Sequence, residues 1–413
     1  MTRDNTSPTS PSPQSVQGSD ELSARSRLIL QRAAQKDVDR IGYPTMGGVT
    51  PAATYLNNAG SPYQTFKDHY CGHSKELEKE LLDRLAAVFG LPPSAAFGYV
   101  TAGGMEANFA GLWWAKKALK ARGCEQIVHL SSSQTHDCIN KSCDMLEIGT
   151  VAIEAHRAGG LDIAALKEAL GAVLDRPGRS TLGVVVSASI GTMKEGIVDD
   201  VAGVKEMLRS ILEPVGVPYH LHADGAIYGV LLPVIAPGLS HHLFDTIDTL
   251  ALSGHKFTGA LGICGLALTT RRLVACGFGE AGLSAAHFAD SRDGNNVIEL
   301  YTRLNDHLGF FEPGQPKLQD VFSRCERNAI YLEQQLAAVA GHEEVQRNLL
   351  TISFPKPRAE ARADEIGDKY SLMPISEGRF AAMIFPQLER RLLERFVADY
   401  AAACGDRATP GQA

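Results

Sequence analysis

Leu252-Ser-Gly-His-Lys-Phe-Thr-Gly259 is a tight, glycine-flanked turn between two apolar, strand-like runs, residues 246–252 and 263–268. Lys256 therefore leaves the end of a buried strand, with Ser253 and His255 beside it. A lysine placed this way is either a solvated loop residue or, where burial lowers its pKa, an amine able to condense with an aldehyde. The flanking runs carry the fold class, because strands this apolar occur where both faces of a sheet are covered.

The same rhythm extends upstream. Strands are expected at 127–130, at 182–187 with consecutive Val184, Val185 and Val186, and at 219–223. Helices are expected at 76–89, with Leu77, Leu81, Leu82, Leu85 and Val88 on one face, through Lys120, and at 134–146, 161–174 and 201–212. Alternation of this kind predicts an α/β fold, a mostly parallel central sheet sandwiched by helices, with ligands at the carboxyl ends of the strands. From about residue 318 the pattern changes to a long helix (318–339), two strand-like runs (349–354, 380–385) and a last helix (388–403), a small α+β domain.

At 413 residues the chain exceeds what one compact core supports. The expected division is a disordered leader (1–20), an N-terminal segment (21–65), a large ligand-binding domain (66–305), a small C-terminal domain (306–404) and a frayed tail (405–413). The balance of 40 basic against 47 acidic side chains, net −7 without long runs of one sign, argues against nucleic acid or an anionic membrane as partner. No apolar run reaches the roughly 20 residues of a membrane span. The eight cysteines contain no C-x-x-C pair, so reduced thiols and a cytoplasmic location fit. Cys138 and Cys143 read as packed thiols on a helix, and no metal site is expected.

Four motifs fall at strand ends. Thr101-Ala-Gly-Gly-Met-Glu-Ala-Asn108 is a Gly-Gly turn opening a helix, suited to a phosphate or simply to a turn. His136 in Ser131-Ser-Ser-Gln-Thr-His-Asp137 either presents its ring to a planar cofactor or satisfies a helix start. In His220-Leu-His-Ala-Asp-Gly-Ala226, an aspartate at an apolar strand end needs a cation or donor, such as a protonated pyridine nitrogen. Ala226 is small enough to let a ring lie flat, and a metal or helix-cap role for Asp224 is the alternative. Ser253-Gly-His-Lys256 is the fourth, and this order is the one expected of a pyridoxal-phosphate site.

With these motifs, Tyr55-Leu-Asn-Asn-Ala-Gly-Ser-Pro-Tyr63, Glu76-Leu-Glu-Lys-Glu80, Ile190-Gly-Thr-Met-Lys-Glu-Gly-Ile-Val-Asp-Asp200 and Ser291-Arg-Asp-Gly294 complete a pattern over roughly residues 40–305. It resembles the group II pyridoxal-phosphate-dependent amino-acid decarboxylases, most closely the bacterial histidine and plant serine decarboxylase branch. The resemblance implies an aspartate-aminotransferase-like type I fold, a homodimer with active sites at the interface, and decarboxylation of an L-amino acid such as histidine or serine. It implies that Lys256 binds pyridoxal 5'-phosphate, that Asp224 keeps the pyridine nitrogen protonated, and that His136 and Ala226 face the ring from opposite sides. Gly103, Gly104 and Met105 resemble the phosphate turn, Ser253 and His255 further phosphate contacts, and Thr192 a threonine close to the cofactor. Arg292 reads as structural or as a weak carboxylate contact, since a tight clamp on the departing group would stabilise the ground state.

The chain departs from the family pattern in residues 276–290. A loop tyrosine that protonates Cα in relatives has no counterpart there; the comparable position is Glu280, with His287, His136 or water as substitutes. Gly225 stands where relatives often carry alanine, and Asn295-Asn296 also differ; all three are expected near the substrate side chain. The alternatives to simple decarboxylation are a decarboxylation-dependent aldehyde synthase, a carbon–carbon lyase or a catalytically silent scaffold.

Overall fold

The computed structural model describes Pro62 and residues 74–156, 160–175 and 181–405. The expected leader, nearly all of the N-terminal segment and the tail lie outside the described residues. The first helix, Ser74–Val88 (α1), precedes strand Ala96–Thr101 (β1) and helix Gly104–Ala121 (α2). Next come Gln126–Ser132 (β2), Asp137–Met145 (α3), Gly149–Ile153 (β3), Ile163–Leu174 (α4), Leu182–Ser189 (β4) and Val201–Leu212 (α5). Tyr219–Asp224 (β5), Thr249–Ser253 (β6) and Gly265–Thr270 (β7) complete a seven-stranded sheet of order β1-β7-β6-β5-β4-β2-β3.

The four neighbour pairs from β6 to β3 are parallel, while β7 runs antiparallel to both β6 and β1. Chain length explains the reversal. A parallel return needs a crossover of a dozen or more residues, usually a helix, and the turn from Ser253 to Gly265 is too short for one. The mostly parallel sheet is thus as expected, with one reversed strand inserted.

Both faces of the sheet are buried. In β1, Ala96 and Val100 join the larger core with Leu81, Leu82 and Leu85 of α1, whereas Phe97 and Tyr99 pack with Trp114 on the other side. In β4, Val184 and Val186 join that larger core, and Val185 meets Leu112, Ala115 and Leu119 of α2. That is why Val184 to Val186 are consecutive rather than alternating with polar residues. Gly98 lies where β1 meets β7: an added Cβ would sit 2.3 Å from the Ala267 carbonyl.

After helices Arg271–Phe278 (α6), Gly294–Thr302 (α7) and Pro316–Ala340 (α8), a second, antiparallel sheet has the order β10-β11-β9-β8. Its strands are Gln346–Asn348 (β8), Thr351–Pro355 (β9), Met373–Ser376 (β10) and Arg379–Met383 (β11). Glu360–Tyr370 (α9) and Arg390–Cys404 (α10) accompany it. Several expected boundaries move. Residues 134–136 form a turn before α3, and residues 246–248 precede β6, because Leu243–Thr246 is a short helix. β10 escaped notice because Pro374 and its half-exposed side chains break the strand signal.

One ion pair ties three segments together. Arg292 bonds both carboxylate oxygens of Glu78 and donates to the Val100 carbonyl at 3.0 Å, while the Val100 amide donates to Glu78 Oε1 at 2.7 Å. Glu78 is wholly buried and Arg292 nearly so. Removing the guanidinium in Arg292→Ala takes the cationic partner from a buried carboxylate, a change expected to cost about 3–5 kcal/mol in urea unfolding. A loss below about 1 kcal/mol would place the pair in an exposed, screened setting instead.

His129, His220 and His222 are also buried, and burial lowers all three pKa values, that of His129 to about 4. A lowered folded-state value means the unfolded chain binds more protons. Stability is therefore complete above about pH 6.5 and falls below it, by at most about 1.4 kcal/mol per pH unit for any one histidine. Urea midpoints measured between pH 7 and pH 5 check this slope.

Candidate active site

The ten residues that the resemblance assigns to the cofactor line one cavity of about 320 Å³ at the carboxyl end of the sheet. β5 carries Asp224 to its last position, opposite Ser189 of β4 and Ala251 of β6. Asp224 is 6% exposed, and its Oδ1 accepts the Ala226 amide at 3.1 Å. β6 ends at Ser253, and the following turn returns Lys256 to the same space. Burial lowers the pKa of Lys256, while the Asp224 carboxylate draws it upward.

The wall opposite is the start of α2. Gly103 has φ +155° and ψ 173°, backbone space essentially reserved for glycine, and no side chain caps the helix. The first-turn N–H groups thus lack a side-chain acceptor, and the helix dipole adds positive potential there. The Glu106 carboxylate steadies the turn by accepting the Ala102 amide at 2.8 Å. A Cβ on Gly104 would lie 2.3 Å from Ser253 Oγ and 3.8 Å from the Ala226 methyl, so the three residues share one tight wall. Ser253 Oγ is buried without a hydrogen-bond partner. An orphaned hydroxyl beside uncapped amides fits a phosphate group.

His136 both caps a helix and borders the cavity. Its Nδ1 accepts the Cys138 amide at 3.2 Å, capping α3, and its ring lines the cavity. Burial, then Lys256, lowers its pKa against the pull of Asp224 and Asp137. His255 donates from Nδ1 to the Cys264 carbonyl at 2.9 Å, and burial lowers its pKa too. Thr192 Oγ1 accepts the Ile197 amide at 3.1 Å, and Met105 stands at the rim, 46% exposed.

The structure also corrects expectations. Asn295 and Asn296 do not line the cavity: Asn295 bonds Asp293, and Asn296 donates to the carbonyl of the rim residue Ile263. Gly225 is explained by packing, since a Cβ there would meet Leu252 at 3.0 Å and Gly229 at 3.1 Å. Glu280 and His287 are not on the wall either; His287 is buried edge-on to Tyr99 and close to Asp290. Of the proton-donor substitutes named, only His136 faces the cavity. The metal alternative for β5 has a plain outcome: His220 and His222 both bond Thr249, while Asp224 faces the cavity. Among the described residues no group of three or more His, Cys, Asp or Glu could hold a metal.

Sequence reasoning missed Asn108, Cys138, Ser189, Gly191, Met193, Ile227 and Ile263 on the wall. Asn108 lay inside a quoted motif, one turn beyond the glycines on the same helix face, so helical period was the available signal.

Residues 64–276 match the pyridoxal-dependent decarboxylase conserved domain. The chain is 26% identical over 340 residues to histidine decarboxylase of Solanum lycopersicum, covering 79% of this chain and 77% of that one. It is 28% identical over 311 residues to serine decarboxylase 3 of Oryza sativa subsp. japonica, covering 74% of this chain and 65% of that one. L-methionine decarboxylase from Streptomyces sp. 590, in its internal aldimine form, superposes with a TM-score of 0.74 at 19% identity, covering 92% of this chain and 95% of that one. That likeness establishes a shared type I fold.

Gly104→Ala is expected to weaken pyridoxal 5'-phosphate binding by about tenfold or more, because the new methyl displaces the Ser253 hydroxyl. Fluorescence titration measures it. Unchanged affinity would remove this wall as the phosphate cradle.

Proposed function

The chain belongs to the pyridoxal-dependent decarboxylase family, and from that premise we propose that it acts on an L-amino acid with a small or polar side chain, histidine and serine foremost, yielding the amine and CO2. The class is secure: a carboxy-lyase that uses pyridoxal 5'-phosphate. The supporting observation for the residue roles is the cavity itself, where a half-buried lysine, a strand-end aspartate and an orphaned hydroxyl meet.

When bound, pyridoxal 5'-phosphate supplies an aldehyde for the substrate amine and a conjugated ring that accepts the electron pair left by departing CO2. The amides at Gly104 and Met105, with Ser253 and His255, would hold the phosphate. Asp224, whose Oδ1 accepts the Ala226 amide, would hold a proton on the ring nitrogen. Lys256 Nζ, its pKa lowered by burial, is the amine for covalent attachment and for carrying protons. His136 cannot turn freely, because Nδ1 is committed to capping α3. Its neutral ring therefore carries the proton on Nε2, a donor on the cavity side. Ala226 and Thr192 bound the remaining faces.

We further propose a cytoplasmic homodimer whose second subunit completes the cavity mouth, where Met105 and Ile263 are 46% and 70% exposed. One observation favours a second reading. No tyrosine among the described residues lines the cavity, so none of these phenols is placed to protonate Cα promptly. With dioxygen and water as co-reactants, the same amino acid would then yield aldehyde, CO2, ammonia and hydrogen peroxide.

A panel of L-amino acids with the purified protein, followed by mass spectrometry of amine and CO2, decides between them. Amine in step with CO2 is the expected result; aldehyde and peroxide favour the second reading. Lys256→Ala is expected to lose the visible absorbance of the holoenzyme. Asp224→Ala is expected to retain some cofactor and lose about a hundredfold in turnover, the scale of removing one preorganised charge partner. Unchanged rates would end the role given to Asp224.

A further inference from the structure

Behind the cavity wall runs a continuous chain of buried polar side chains to which the roles above assign nothing. Asn108 Nδ2 donates to Cys138 Sγ at 3.2 Å, and both residues line the cavity. Asn108 Oδ1 lies 2.8 Å from His222 Nε2, His222 Nδ1 lies 2.8 Å from Thr249 Oγ1, and Thr249 Oγ1 lies 2.9 Å from His220 Nε2. All five side chains are buried.

The donor directions follow from one end. The Asn108 carbonyl only accepts, so His222 carries its proton on Nε2. A neutral His222 then accepts at Nδ1 from the Thr249 hydroxyl, which in turn accepts from His220 Nε2. Burial, reinforced by the neighbouring His220 and His129, keeps His222 neutral. The backbone is shaped to admit the chain. Gly111, one turn along α2 from Asn108, leaves room for the imidazole: a Cβ there would fall 2.6 Å from His222 Nδ1 and 3.2 Å from Thr249 Oγ1. Three elements, α2, β5 and β6, thus each give up apolar packing to place one amide.

We propose that Asn108 is a positioning residue, clamped by His222, that fixes the Cys138 thiol at the Asp224 end of the cavity and so keeps water from weakening the hold of Asp224 on the ring proton. Cys138 suits this task because it is 5% exposed and stays neutral, its pKa pushed up to about 12 by burial and then by Asp224. A neutral, compact group there excludes solvent without competing for the proton. Losing it lets water screen the carboxylate, so the ring nitrogen holds its proton less firmly. The nitrogen linked to Lys256 then becomes more basic, and the visible band titrates at higher pH.

This inference rests on the cavity being the cofactor site, and its test separates the two. Holoenzymes of Asn108→Ala, Cys138→Ala, Cys138→Ser and the Asn108→Ala/Cys138→Ala double variant are compared for the pH midpoint of the visible band, kcat and KM. Each alanine variant is expected to raise the midpoint by about half a pH unit or more and to lower kcat about tenfold with little change in KM. Because Asn108 acts through Cys138, the double variant should match the singles; additive losses, or an unmoved midpoint in Asn108→Ala, overturn the proposal. Should Asn108→Ala fail to fold, the Cys138 pair decides, since both leave the bond to His222 intact. Cys138→Ser keeps an acceptor for the amide and should retain the wild-type midpoint, whereas a shift in both or in neither overturns the proposal. A visible band that survives Lys256→Ala would instead defeat the cofactor placement.

Discussion

The cavity depends on where the strands of one sheet stop. Asp224 stands level with Ser189 and Ala251, and Gly265 stands level with both Ser253 and Thr101. Parallel strands pointing one way gather the groups at their carboxyl ends, and reversed β7 closes the row by bringing its amino end to the same side. Only a glycine fits at the crossing of β1, β7 and β6, since a Cβ on Gly265 would lie 2.7 Å from Gly103, Leu252 and Thr101 atoms alike. A one-residue slip in β5 would turn Asp224 away from Lys256 and point Ala223 at the cavity.

Electrostatics follow from that placement. Lys256 and Asp224 oppose one another: desolvation favours the free amine, and the carboxylate favours the ammonium. Two effects of opposite sign thus act on one amine, and burial is the larger. Arg292 stands apart from this balance, since Glu78 and the Val100 carbonyl occupy its guanidinium. Its burial on the α1 side of the sheet agrees with a structural role.

Much of this was legible in the sequence, for identifiable reasons. Long amphipathic helices such as α1 and α8 and doubly buried strands such as β4 and β6 announce themselves through period and apolar density. The ten residues that meet in the cavity were legible because an aspartate and a lysine at strand ends are costly unless employed, and the glycine turn lies beside them. Short or weakly apolar strands were not: Gly98 interrupts the apolar run of β1 in the sequence, β3 is mostly exposed and β10 half-exposed. Asn108, Gly111, His222 and Thr249 were invisible as a group because they lie on three elements and meet only across the helix–sheet interface. Asn295 and Asn296 misled for the converse reason, being close in sequence to a site from which their bonds hold them away.

His136 has a consequence beyond its place on the wall. The nitrogen that caps α3 and the ring that borders the cavity are one rigid plane. The tilt of that plane is therefore read from the first turn of a helix whose Cys138 and Ile139 sit in the core. The helix acts as a jig: the angle at which an aromatic face meets its guest is machined by hydrophobic packing several residues away. Tuning that angle would begin with the side chains beneath α3 and leave the histidine untouched.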